Sequence, residues 1–153
     1  MILPRALYDA ILAHGEKTWP QECCGFLVGA AGGAIDEVVA ITNAAEKMKA
    51  ERPDEFTRTA EMGYVMDPME QLRAEASARE RGRVVRGVYH SHVEVGAYFS
   101  AEDKRRARFA GELMFPDPIY IVADVKAREA KGAKAFVWSA AARDFVEEPI
   151  EIV

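Results

Sequence analysis

Near the start of the chain the apolar positions Leu3, Leu7, Ala10 and Ile11 return every three or four residues, with His14 on the same stripe. That period is one face of an α-helix. Pro4 suits a first turn, which needs no backbone donor there, so residues 4–17 read as an amphipathic helix ending before Trp19–Pro20. His14 then reads as a packing residue. CGFLVGA (24–30) and AIDEVVAIT (34–42) are short apolar runs on either side of Gly32–Gly33, the pattern of a hairpin.

From Asn43 to Gly63 no period holds. The stretch NAAEKMKAERPDEFTRTAEMG is polar and charged, with a short strand expected at EFTRT. A long irregular segment in a compact domain is often functional or mobile, and a solvated loop is the equal alternative. Asp67–Pro68 then opens a helix, with Asp67 as N-cap, Pro68 in the first turn and Glu70 at the capping-box spacing. This helix runs to about Arg81. RVVRGVYHSH (83–92) reads as a strand and SAEDKRRARFAGEL (100–113) as a helix. DPIYIVADVK (117–126) is apolar on both alternations, which suits a central strand. KAFVWSA (134–140) and RDFVEEPIEIV (143–153) complete the strands. Interleaved helices and hairpins together predict an α/β fold with a mixed central sheet and flanking helices.

A length of 153 residues suits a single domain spanning 1–153, large enough to bury a core without staples. The 50% hydrophobic and 29% charged content is that of an ordinary soluble protein. A net charge of −5 argues against nucleic acid or an anionic membrane as the main partner. No run approaches the roughly 18 apolar residues of a membrane span, and MILPRALYDAILAHGEK lacks the features of a signal peptide, so a cytoplasmic setting is expected. The adjacent Cys23 and Cys24 would form a strained disulfide and offer no CxxC pair. They read as small buried hydrophobes.

The chemistry concentrates in YHSHVEVGAYFSAED, residues 89–103. Alternation along a strand puts His90 and His92 on one face, the arrangement a metal requires of an H-x-H pair, while Tyr89 points to the opposite face and the core. Asp103 can add a carboxylate if residues 93–99 fold back, a turn that Gly96 eases. Zinc takes such a set of imidazole nitrogens and a carboxylate. S-A-E-D at 100–103 is also a capping-box spacing, so helix initiation alone can explain Ser100 and Asp103, though not the two co-facial histidines, and the two readings are compatible. Ser91 reads as a structural hydroxyl. Tyr98 and Phe99 could wall a groove or pack the helix start.

The order His90-Ser91-His92, seven residues, Ser100, two residues, Asp103 resembles the motif of the JAMM (JAB1/MPN/Mov34 metalloenzyme) family of zinc peptidases and isopeptidases. Glu22 in PQECCGFLVG stands where that family has its upstream glutamate, and FTRTAEMGYVMDPMEQLRA and DPIYIVADV are also similar to family segments. The resemblance implies the JAMM/MPN architecture, related to that of cytidine deaminases. It implies one zinc on His90, His92 and Asp103 with water as fourth ligand, Glu22 as proton carrier and Ser100 as oxyanion donor. It further implies a small prokaryotic-type enzyme acting on a ubiquitin-like β-grasp sulfur-carrier protein at its Gly-Gly tail, releasing cysteine or a C-terminal extension. Segments 44–63 and 93–99 are the candidates for shaping the groove. One departure is Val93, where many members have Pro.

Three other functions fit the sequence less well. A non-catalytic MPN-type scaffold sits poorly with five intact site positions. A zinc deaminase needs P-C-x-x-C after its H-x-E, and an H-E-x-x-H protease needs that helix motif; the chain has neither.

Overall fold

The computed structural model describes residues 1–153. In chain order the elements are β1 (Ile2–Leu3), α1 (Arg5–Thr18), β2 (Cys24–Gly29), β3 (Ile35–Ile41), α2 (Ala45–Glu51), α3 (Pro68–Glu80), β4 (Val84–Val93) and α4 (Ala101–Arg106). They continue with β5 (Arg108–Phe109), β6 (Glu112–Leu113), β7 (Ile119–Lys126), β8 (Glu129–Ser139), β9 (Asp144–Glu148) and β10 (Glu151–Ile152). The main sheet has the order β3-β2-β4-β7-β8-β9. Only β4 and β7 pair in parallel; the other four pairings are antiparallel. The mixed sheet expected from the interleaved pattern is therefore present, with the histidine-bearing strand in its interior.

Both faces of the sheet are covered, and alternation decides which side chain goes where. On one face Leu27, Tyr89, Ile121, Ala123 and Cys23 form a core with Ile11 of α1 and Leu3. On the other, Cys24, Phe26, Val88, Val122 and Tyr120 pack with Ala78 of α3, Tyr64 and Phe99. Close approach of α1 to the sheet depends on Gly15, where an added methyl would lie 2.9 Å from Val125 Cγ2 and 3.5 Å from Ser91 Cβ. His14 packs beside it, its Nδ1 2.8 Å from the hydroxyl of the buried Tyr89.

Four expectations are corrected. EFTRT is not a strand; residues 53–65 make turns and one isolated bridge partner follows at Met66, while the same irregular stretch holds the unforeseen α2. The helix from Ser100 stops at Arg106, because the chain reverses through Ala110 and Gly111, both at positive φ, into the β5–β6 hairpin. The last strand breaks at Pro149, which has no ladder donor, and its remainder, β10, pairs in parallel with β1. Asp67 caps α3 as expected, accepting from the Met69 and Glu70 N–H groups, but Glu70 does not close a capping box: its carboxylate accepts from the Thr42 N–H and hydroxyl instead.

Candidate metal centre and cleft

Strand pairing brings the acidic residue of one segment near the histidines of the next. β2 pairs antiparallel with β4, with Cys24 opposite His90, and the Ser91 N–H to Cys23 carbonyl bond carries the pairing beyond β2. Glu22 precedes β2 by two residues, and its carboxyl is close enough to His92 for the two charges to attract. Ser91 points the other way. Its hydroxyl accepts from the Cys23 N–H at 2.7 Å, so it pins the two strands together at the site.

The third component arrives from the chain that leaves β4. Glu94 and Gly96 adopt positive φ values of 65° and 88°, and the loop returns to start α4 at Ser100. There the cap and the carboxylate are one device. Asp103 N–H donates to Ser100 Oγ, and Asp103 Oδ2 accepts from the Ser100 N–H and hydroxyl at 2.9 and 2.6 Å. Oδ2 is thus engaged by the helix start and lies near His92, and Oδ1 faces His90.

His90 Nε2 and His92 Nε2 stand 3.2 Å apart; each lies 3.2–3.4 Å from an Asp103 oxygen. Donors about 2.1 Å from one tetrahedral ion are separated by about 3.4 Å. The donor set fits a zinc-sized ion in both spacing and chemistry, and all three side chains are buried. His92 Nδ1 lies 3.0 Å from the Gly96 carbonyl oxygen, which can only accept. In the neutral ring that fixes the proton on Nδ1 and leaves the Nε2 lone pair facing the cluster.

Burial and mutual contact set the charges. Burial works against the Asp103 charge, yet hydrogen bonds from His90, His92 and Ser100 outweigh it and hold the carboxyl well below its usual range. Burial lowers His90. It also opposes charge on His92, but Asp103 and Glu22 raise that ring overall. Burial pushes Glu22 up to about 8, against the attraction of His92. Removing a carboxylate from water favours its neutral form, and Glu22 is only 6% exposed.

These groups open onto a cleft of about 670 Å³ that includes Glu22, His92, Ser100 and Asp103. Its walls come from residues 55–58 and 61–65 on one side and from Val93, Val95 and Tyr98 on the other. The two aromatic residues before Ser100 divide the work. Tyr98 is on the cleft with its ring edge-on to His92 at 4.7 Å, whereas Phe99 is buried against Tyr120, Phe136 and Phe145.

Three neighbours of the site gave no sequence signal. Tyr64 lays its ring 4.8 Å from that of His90, Arg106 sits over the Tyr64 ring and donates to its carbonyl, and Asn43 binds the backbone at Glu22. Each lies in or beside irregular chain, where spacing carries no information. Only the position of Asn43, at the start of the segment 43–63 without period, hinted at a role.

Residues 4–139 match the family described as prokaryotic homologs of the JAB domain. The chain belongs to this family. Among curated relatives of this JAB-domain chain, proteins of Mycobacterium tuberculosis and Mycobacterium bovis named CysO-cysteine peptidase are 28% identical over an alignment covering 100% of it and 91% of their own length. A solution structure from Desulfitobacterium hafniense superposes with a TM-score of 0.68 at 26% identity, covering 100% of this chain and 93% of that one. One from Salinibacter ruber gives 0.63 at 27%, over 99% and 90%. A JAB1/MPN domain protein from Archaeoglobus fulgidus shares the fold, with a TM-score of 0.58 at 18% identity over 100% and 97%. The mixed α/β architecture is thus the JAB1/MPN fold, and no helix of the JAB chain is long and apolar enough to cross a membrane.

Proposed function

We propose that this JAB-domain chain is a cytoplasmic zinc-dependent peptidase. In this reading His90, His92 and Asp103 hold one ion, and the bond cut lies at the C-terminal Gly-Gly tail of a small ubiquitin-like β-grasp sulfur carrier, releasing cysteine or a C-terminal extension. One observation carries it: a buried His-His-Asp donor set reaches a cleft through His92 and Asp103, and a buried carboxyl, Glu22, borders the same cleft. The names of the mycobacterial relatives support the substrate class.

When bound, the ion supplies Lewis-acid polarisation and brings the pKa of a water molecule toward neutrality. The chain does the rest. Glu22 takes the proton from the attacking water at its carboxylate and passes it to the leaving amine. Ser100 donates to the carbonyl oxygen as negative charge develops. Its hydroxyl points at Asp103 in this structure, so it must rotate off that oxygen, which the Ser100 N–H continues to satisfy. Val95, Tyr98 and Met62 line the cleft together with His92.

The test is zinc per chain in protein purified without chelator, beside Asp103→Ala, followed by cleavage of a Gly-Gly-tailed carrier extended by one cysteine. About one zinc in the wild type, clearly less in the variant, and zinc-dependent release of cysteine are expected. Protein without metal and without cleavage would leave the scaffold reading in its place.

A further inference from the structure

Glu22 borders two cavities. Besides the cleft, it lines a second space of about 300 Å³ behind it, shared with His14, Thr18, Thr42 and Asn43. Backbone hydrogen bonds hold the residue between them. Two serve that purpose. The Glu22 N–H donates to the Ala60 carbonyl at 2.7 Å, and the Glu22 carbonyl accepts from Asn43 Nδ2 at 2.9 Å.

Asn43 does more than close that bond. Its Nδ2 also donates to the Gly63 carbonyl at 3.0 Å, and its Oδ1 accepts from the Ala45 and Val65 N–H groups at 3.0 and 3.1 Å. Two donors and two lone pairs are the whole capacity of a carboxamide. One side chain thereby joins the segment bearing Glu22, the first turn of α2, and the turn bearing Tyr64, whose ring lies against His90.

We infer that Asn43 is a positioning residue that sets the Glu22 carboxylate against the His90–His92–Asp103 cluster. The inference rests on the reading of Glu22 as proton carrier. The two halves of the amide separate its roles. The acceptor half supports the fold of α2 and the turn; the donor half reaches the Glu22 and Gly63 carbonyls. Asn43→Asp keeps the first half and turns a carboxylate oxygen toward two carbonyl oxygens in place of the second. Small displacements of a catalytic group reduce turnover steeply, on the order of a hundredfold per ångström.

The experiment compares kcat, KM, zinc content and unfolding midpoint for wild type, Asn43→Asp and Glu46→Ala, using the Gly-Gly-Cys-tailed carrier. Glu46 Oε1 accepts from the Ala60 N–H at 2.8 Å, so Glu46→Ala loosens the same turn while the Ala60 carbonyl keeps the Glu22 N–H and Asn43 keeps its bonds to Glu22, Ala45, Gly63 and Val65. Asn43→Asp should retain its zinc and a KM near that of wild type while kcat falls roughly tenfold to a hundredfold. Glu46→Ala, though destabilised, should keep kcat within about threefold. If Asn43→Asp does not fold, Asn43→Ser replaces it under the same criteria. Wild-type kcat in the zinc-loaded Asn43 variant, or an equal loss in Glu46→Ala, overturns the positioning role and leaves the peptidase intact. Zinc-loaded wild type that cleaves no carrier overturns the peptidase reading itself, and the positioning role with it.

Discussion

Ser100 and Asp103 form a reciprocal cap in which one carboxylate oxygen is held by the helix start and the other faces His90 Nε2 at 3.2 Å. Helix initiation and metal ligation, which read as rival explanations of the same spacing, are compatible because the carboxylate has two oxygens. The cap is what aims the proposed ligand.

Ser100→Ala should therefore keep its zinc, since the Ser100 N–H still orients Asp103. Loss of the hydroxyl cap costs about 1 kcal/mol of stability, and loss of the oxyanion donor should lower kcat roughly a hundredfold to a thousandfold. Metal analysis, thermal melts and steady-state kinetics on one preparation separate the three effects.

The protonation of Glu22 gives a stability signature in zinc-free protein. Its folded pKa of about 8 lies above the ordinary 4.5, so the folded chain retains a proton that the unfolded chain releases. The stability from this group is full below about pH 4.5 and is lost as pH rises through 8. Glu22→Gln removes that dependence. The difference in melting temperature between Glu22→Gln and wild type should widen in favour of the variant from pH 5 to pH 8.5, while the zinc-loaded variant binds metal and loses turnover on the order of a hundredfold or more.

Loop 93–99 has Val93 where the JAMM resemblance leads one to expect Pro, and its order comes from Glu94. That residue donates its N–H to the Val125 carbonyl, while its Oε1 accepts from the Ala127 N–H at 2.6 Å and Trp19 Nε1 at 3.2 Å. Two residues on, the Gly96 carbonyl orients His92. Glu94→Ala should leave one zinc per chain but weaken its affinity by about tenfold, as removal of an outer support does, measured by competition with a chelating dye.

Gly25→Ala should be far more damaging to the fold than to any local function. A methyl there would lie 2.3 Å from the Val39 carbonyl oxygen and 2.4 Å from the Tyr89 ring. With backbone on one side and a fully buried ring on the other, neither can yield, and a loss of about 3 kcal/mol or more in denaturant unfolding is expected.

The legible parts of this protein are those where chemistry follows the period of an element. His90 and His92 share a face because strands alternate, Tyr89 is in the core for the same reason, and the Gly32–Gly33 hairpin follows from two apolar runs around a flexible pair. Asn43 and Tyr64 were not legible. Their roles depend on partners as distant as Glu22 and His90, brought together by a segment with no repeating pattern. The over-long helix at 100–113 failed differently: RARFAGEL has helix formers on both sides of Gly111, but Gly111 at φ 88° turns the chain into a hairpin, with Arg108 over the Trp138 ring. Local propensity yielded there to a tertiary contact.

The adjacent Cys23 and Cys24 project into opposite cores, one beneath α1 and one beneath the site. Both thiols are free and fully enclosed, and burial raises both, Cys23 to about 12. A thiol reagent can reach either only when its own layer opens. The pair is a built-in two-channel recorder of breathing motions, in which alkylation of Cys24 that zinc slows, with Cys23 unaffected, would show which half of the molecule the ion tightens.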